Sequence, residues 1–189
     1  MNKITIKRER FNALLANQAR NDVRYYLHGF HLDFDKAIGV ATDGHALVRV
    51  PIAIENEYDD ALPQSVILQG KEAPLKPAPR GCTDVTICKD EETRQWSLSY
   101  TTKRAGKMTL ALTDIDGKFP DYERVIPKDK DSGKIDAIGF NPNLFARTSK
   151  ALGRDVVRVQ FSKTDNRAMV VTFGEEEPDV LAVVMPCRI

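Results

Sequence analysis

The stretch RYYLHGFHLDFDKAIGVATDGHALVRVPI, residues 24–52, reads as three successive β-strands. In the first, Phe30, Leu32 and Phe34 alternate with His31 and Asp33, the period-two pattern of a half-buried strand. Asp35-Lys36 makes a tight turn, after which Ile38, Val40 and Thr42 continue the alternation. Asp43-Gly44 is a strong hairpin signal. Ala46, Val48 and Val50 then alternate with Leu47 and Arg49. Pro51 ends the run because it has no N–H to give to a ladder.

Working outward, Ile4 and Ile6 predict a short opening strand. Residues 8–20 read as a helix, with Phe11, Leu14, Leu15 and Ala19 on one apolar stripe and Arg8, Arg10 and Arg20 on the other faces. The first unit is therefore β-α-β-β-β. An acidic connector follows at 55–60, then a strand at 65–69. If the pattern repeats, GKEAPLKPAPRG (70–81) should hold a helix. Pro74, Pro77 and Pro79 nearly forbid one, since each removes a donor and clashes with the preceding turn. Three strands come next, at 85–88, 96–100 and 107–112, turning at Glu91-Glu92 and at Arg104-Ala105-Gly106. Gly117, Pro120 and Pro127 make 114–127 a connector, and 128–134 is a solvated loop. A third unit opens with a strand at 135–140. Asn141-Pro142 starts its helix, with Pro142 at the first helical position. Leu144, Phe145, Ser149 and Leu152 supply its inner face, and Gly153 suits the C-terminal cap. Strands at 156–162, 168–173 and 180–186 close the chain. One α+β supersecondary pattern thus recurs three times, at roughly 60–70 residues per repeat.

A chain of 189 residues holds one or two domains with a sizeable core. Its 42% hydrophobic and 29% charged content is that of a soluble globular protein. The net charge of +1 argues against a strongly basic nucleic-acid binder, although local clusters of charge can still act. Cys82, Cys88 and Cys187 are widely spaced and form no CxxC, so neither a disulfide framework nor structural zinc is expected, and a reducing cytoplasm is. No apolar run is long enough to span a bilayer, and the early charges of MNKITIKRERF argue against a signal peptide.

An enzyme needs a constellation of groups. His28 and His31 are three apart on a predicted strand, which puts them on opposite faces and makes a shared metal unexpected. Thr42, Asp43 and His45 superficially resemble a catalytic group, but adjacent turn residues rarely point at one reacting atom. Phosphate-cradling and nucleophile-elbow motifs are absent. Asp43, Asp114, Asp116 and Asp121 sit in turns and a connector, where aspartate serves the backbone. The expectation is no catalysis, no cofactor and no metal; a hydrolase or nuclease built on the Asp/His turn has the least support.

Four segments, VRYYLHG (23–29), VATDGHALV (40–48), GKFPDYERVIP (117–127) and VVMPCRI (183–189), together resemble the bacterial DNA polymerase III beta sliding clamp family and occur in its order. The resemblance is to the second domain plus the C-terminal half of the third. It implies a DNA-clamp fold of β-α-β-β-β units, two to a domain. Residues 1–127 would be one clamp-like domain whose second helix is degenerate, and 128–189 would be half of another, about three units in all. The first domain and the first half of the last would be missing.

By the same resemblance the chain is a processivity or tethering factor for DNA replication that binds short motifs of polymerases, clamp loaders and repair proteins. The implied peptide pocket takes Leu27 from RYYLHG and Thr42, Gly44, His45 and Leu47 from ATDGHAL. It adds Pro120, Arg124 and Val125 from KFPDYERV, and Val183, Met185, Pro186, Cys187 and Arg188 from VVMPCRI. An apolar cleft with a few fixed polar groups suits an extended peptide. Leu27 and Val183 taken alone read equally as strand core. Two departures from the family, Ala46 for a basic residue and Cys187 for a methionine, shrink the pocket wall.

The family lines a DNA channel with basic helices that contact phosphates without reading sequence. Lys7, Arg8, Arg10, Arg20 and Arg24 fall on or beside the first helix, and Arg147, Lys150 and Arg154 on or beside the third unit's. A solvated polar face explains them as well. Tyr25 and Tyr26 match a tyrosine pair near the channel mouth, where stacking on bases and core packing are alternatives. Family rings contain twelve units, so three per chain imply self-association as a four-chain ring, with a dimer as the competing assembly. The alternative function is a clamp mimic that captures clamp-binding motifs and regulates a full-length clamp without encircling DNA.

Overall fold

The computed structural model describes residues 2–56, 62–126, 140–154, 157–161, 168–173 and 180–186. The order is β1 (Asn2–Lys7), α1 (Arg8–Ala16), a 3-10 turn (Tyr25–Leu27), β2 (Phe30–Asp33), β3 (Ile38–Thr42), β4 (Ala46–Pro51) and β5 (Ala53–Asn56). Next come β6 (Ser65–Gly70), β7 (Asp84–Lys89), β8 (Trp96–Thr102), β9 (Gly106–Asp114) and a second 3-10 turn (Tyr122–Arg124). The last part holds α2 (Asn143–Leu152), β10 (Arg158–Phe161), β11 (Met169–Thr172) and β12 (Leu181–Val184). All described strands join one antiparallel sheet, ordered β10-β11-β12-β4-β3-β2-β6-β9-β8-β7-β1-β5.

Period two along the strands sorts side chains to two faces, and over β2–β4 and β12 both faces are covered. Phe30 and Leu32 of β2, Val48 and Val50 of β4, and Ala182 and Val184 of β12 join the core beneath the helices. There Phe11 of α1 meets Phe30 edge to face, with ring centroids 5.9 Å apart. Val40, Leu47, Leu181 and Val183 point the other way, into a second core with Leu27, Ile67, Phe119 and Tyr122. The stretch from Ile115 to Ile126 is thus more than a connector. It crosses the outer face of the sheet and buries it, which is why β2–β4 are buried on nearly every residue.

Several local expectations change. Residues 25–27 form a 3-10 turn, so His28 is not on a strand: it caps that turn, with Nε2 2.9 Å from the Asp22 carbonyl oxygen. Helix α1 stops at Ala16 rather than near Arg20. The reason is Asn17, fully buried, whose amide nitrogen donates to the Ala13 carbonyl (2.9 Å) and to Thr148 Oγ1 of α2 (2.8 Å). Strand β5 was not anticipated. Pro51 ends pairing with β3, but Ala53–Asn56 continue onto β1, Ile54 opposite Ile4. The helix of the third unit is capped as its sequence predicts. Asn141 Oδ1 accepts the Asn143 N–H (3.1 Å). Gly153 takes φ 68°, with Gly153 N–H to the Lys150 carbonyl and Arg154 N–H to the Ser149 carbonyl closing the end. The strand expected at 135–140, apart from Phe140, and the loop at 128–134 lie outside the described residues, as do 155–156 and 162–167, parts of the segments flanking β10.

Between β6 and β7 no helix forms. The proline-rich segment runs extended beside α1 and is fastened by one side chain. Asn12 Oδ1 accepts the Ala78 N–H (2.7 Å) and Asn12 Nδ2 donates to the Ala78 carbonyl (3.2 Å). Both partners are buried. Asn12→Ala strands a buried donor and acceptor, so it should lower stability by about 1–3 kcal/mol in urea unfolding. A midpoint unchanged from the parent would show that this pair does not hold the segment.

Candidate functional site

The outer face is not covered everywhere. Beside the Ile115–Ile126 cover a cleft of about 150 Å³ remains. Its floor is Leu27, Leu47 and Val183, the last two directly opposite each other across the β4–β12 ladder. Thr42, Gly44, His45 and Ala46 form one wall, Pro120, Asp121, Tyr122 and Val125 the other, with Met185 and Arg24 at the ends.

Each wall is held by hydrogen bonds that follow from local sequence. In the β3–β4 turn, Asp43 Oδ1 accepts the N–H groups of His45 and Ala46, both at 2.9 Å. Thr42 Oγ1 donates to the Ala46 carbonyl (2.7 Å) and accepts the Gly44 N–H (3.0 Å). Gly44 has φ 88°, a conformation that favours glycine, and a Cβ there would meet the Arg24 guanidinium at 2.7 Å. The other Asp43 oxygen lies 2.7 Å from Arg147 of α2. Burial alone would raise the Asp43 carboxyl, but the two N–H groups and Arg147 outweigh it and hold it below the usual range. This carboxylate is engaged in building the turn. The Met185 N–H donates to the His45 carbonyl (3.1 Å), fixing the chain beyond β12 to the same turn.

The opposite wall hangs on two contacts. His31 stacks on Phe119, with ring centroids 4.7 Å apart and planes 12° apart. Tyr122 donates its hydroxyl to Asp33 Oδ2 (2.8 Å), and Lys36 Nζ lies 3.2 Å from both the Tyr122 hydroxyl and Glu123 Oε1. Burial and the Asp33 hydrogen bond push the Tyr122 phenol up to about 12, while the Tyr122 and Glu123 hydrogen bonds hold the Lys36 ammonium above its ordinary range.

The cleft therefore gathers Leu27, Thr42, Gly44, His45, Leu47, Pro120, Val125, Val183 and Met185 of the pocket expected from sequence. Arg124 is exposed and does not line it, and Pro186 is half-buried outside it. Cys187 and Arg188 lie outside the described residues. Sequence reasoning missed Asp121 and Tyr122 as lining residues. Their signal was the 3-10 turn: at three residues per turn Tyr122 and Val125 share a side and Arg124 points away.

The residues expected to face DNA separate into groups. Arg8, Arg20, Arg147 and Lys150 come together in a groove of about 420 Å³ on the helical side, joined by Arg80, which the sequence reading did not include. Lys7 pairs with Asp84 at 3.2 Å. Arg10 is half-buried on α1, and Arg154, just past the α2 cap, accepts the Ser149 hydroxyl on its carbonyl. Arg24 is elsewhere, at the end of the cleft, where Asp22 binds its guanidinium at 2.7 and 2.9 Å and raises its already high pKa. Tyr25 and Tyr26 stand beside the outer core, edge to face, and the Tyr25 hydroxyl donates to the Asp116 carbonyl. No group of three or more potential metal ligands occurs among the described residues. No described helix is long and apolar enough to cross a membrane.

No family model matches the chain. It is similar to curated beta sliding clamps. The one from Pseudomonas putida is 36% identical over 119 residues, covering 60% of this chain and 29% of that protein. The one from Haemophilus influenzae is 25% identical over 183 residues, covering 94% and 47%. The chain thus spans less than half the length of these relatives. Among solved structures it superposes on a DNA polymerase sliding clamp from Pseudomonas aeruginosa with TM-score 0.64 at 22% identity, covering 99% of this chain and 66% of that one. On a DNA polymerase III beta subunit structure from Eubacterium rectale the TM-score is 0.67 at 13% identity, with the same coverage. The chain resembles the bacterial beta sliding clamps over part of their length, and its fold is theirs.

Burial pushes His31 down to about 4, so the stacked imidazole is neutral. Between pH 4 and 6.5 the unfolded chain takes up a proton that folded His31 refuses. Its contribution is complete above pH 6.5 and is lost as pH falls towards 4, by up to about 3 kcal/mol. Urea midpoints measured across this window should fall with acid, and His31→Leu should flatten the slope. An equal slope in the variant would remove His31 as the cause.

Proposed function

We propose that this sliding-clamp-like chain is a non-catalytic tethering factor whose outer cleft binds short hydrophobic peptides from DNA polymerase, clamp-loader or repair proteins. The observation that carries the reading is convergence. Residues 27, 42, 44–47, 120–122, 125, 183 and 185, far apart in sequence, form one apolar cleft with fixed polar edges. A half-closed apolar groove of this kind accepts an extended peptide, and Met185 gives it an adaptable end. A titration of a fluorescent hydrophobic clamp-binding peptide should saturate. Met185→Ala together with His45→Ala should weaken it at least about fivefold, about 1 kcal/mol. Equal affinity in the double variant would remove the cleft as the site.

The helical side would meet DNA through its cations, without reading sequence. Tethering by topology needs a ring, and the sheet ends support self-association. Within the described residues β5 pairs only with β1 and β10 only with β11, so each presents an open edge. Open edges invite pairing with another chain. Joining β5 of one copy to β10 of the next is a head-to-tail contact, which gives a ring where its rotation closes, and four chains of three units is the leading count. One observation favours the mimic reading instead: the second unit has no helix, which leaves a gap in any helical lining. Light scattering should give the mass of four chains, with retention on circular but not linear DNA. A dimer without retention would leave peptide capture as the function, and a monomer at micromolar concentration would reject both assemblies.

A further inference from the structure

The proline-rich segment is the feature that the proposed function leaves unexplained. It stands beside α1 where a repeat would place a helix, and the Asn12–Ala78 hydrogen bonds lock it there. Being thinner than a helix, it leaves a groove between itself, α1 and α2. Five cations line this groove: Arg8 and Arg20 from the α1 region, Arg147 and Lys150 from α2, and Arg80 from the end of the segment. No carboxylate among the described residues lines it. Arg147 is already matched by Asp43. Among the described residues the other four have no acidic partner within ion-pair distance, so their charge is uncompensated in a concave site, where a field is focused.

We propose that this groove grips a single phosphodiester backbone, with Arg80 as the cation that completes its third side. The proposal rests on the reading that the helical side meets nucleic acid, and goes beyond it. A grip of this kind is local, works on linear nucleic acid and needs no ring. Guanidinium groups match phosphate oxygens two by two, and arginine supplies three of the four free cations. The groove is too small to enclose a duplex, and it contains no aromatic ring on which a base would stack. Contact is therefore to the backbone alone, from a single strand or from one edge of a duplex. Leu15, Leu75 and Pro77 also line the groove, but beside five cations they favour an anionic occupant over a neutral apolar peptide.

The test is fluorescence anisotropy with linear 12-nucleotide single-stranded and duplex probes, too short to be retained topologically, at rising salt. The wild-type chain should bind at least one probe saturably, and the arm that binds more tightly identifies the source of the strand. Arg80→Glu should weaken binding more than tenfold and lower the salt slope by about 1–2. Arg80→Lys should recover most of it. Arg104→Glu, an exposed cation in the β8–β9 turn, should match the wild type. If wild type binds and Arg80→Glu binds equally, the groove assignment falls while the helical-side reading stands. If the wild type binds neither probe, the local grip falls, while retention on circular DNA still decides the helical-side reading. Displacement of DNA by polyglutamate at equal charge concentration would overturn the phosphodiester assignment in favour of acidic peptide.

Discussion

The β4–β12 ladder is the joint on which everything else depends. It pairs Leu181 to Val184 with Arg49 to Ala46 and so brings the last described strand to residues more than 130 positions earlier. Its register fixes faces as well as proximity. Leu47 lies opposite Val183 on the outer side, and Val48 opposite Ala182 on the helical side. A slip of one residue would turn Val183 inward and Ala182 outward, and the floor of the cleft would vanish. Because both faces are buried here, such a slip exposes apolar side chains on one side and crowds them on the other. The register is therefore strongly specified.

Covering the outer face creates the cleft rather than competing with it. His31 and Asp33, the polar partners of Phe30 and Leu32 in β2, are not solvent-facing residues. They are the attachment points for Phe119 and Tyr122. A polar residue at every second position of a strand usually marks the wet face, but here it marks the face on which a covering segment is anchored. The cleft is what remains where that segment ends and the β3–β4 turn begins.

How much of this was legible depended on the range of the interaction. The hairpin at Asp43-Gly44, the caps at Asn141 and Gly153 and the broken helix at Pro74, Pro77 and Pro79 rest on bonds within a few residues, and the sequence states them. The early end of α1 does not follow from neighbours. Asn17 ends it by reaching Thr148, 131 residues away. Strand β5 was hidden for a similar reason: among the described residues its only ladder is to β1, at the far end of the unit. In the cleft, the apolar positions of strands were readable by family resemblance. Tyr122 was missed because a 3-10 turn has no two-residue alternation to expose it. Arg24 was assigned to the helical side by charge, whereas Asp22 two residues earlier holds it at the cleft. Arg80 was invisible because a proline-rich break reads as loss of structure.

That break is better understood as a substitution of one support for another. A helix in the second unit would satisfy its own backbone and press a broad face on α1. The extended segment cannot do this, and Asn12 satisfies the one buried backbone pair that needs a partner. The cost is a small, specific dependence on one amide side chain, and the gain is open space beside α1. The charges bordering that space then divide by role. Arg147 is tied to Asp43 and to Asn17 Oδ1, so it joins α2 to the turn that shapes the cleft and to the buried end of α1. Among the described residues, Arg8, Arg20, Arg80 and Lys150 form no such ion pair. A cation kept without a partner in a concavity is repelled by its neighbours, and an anion from outside is what relieves that repulsion.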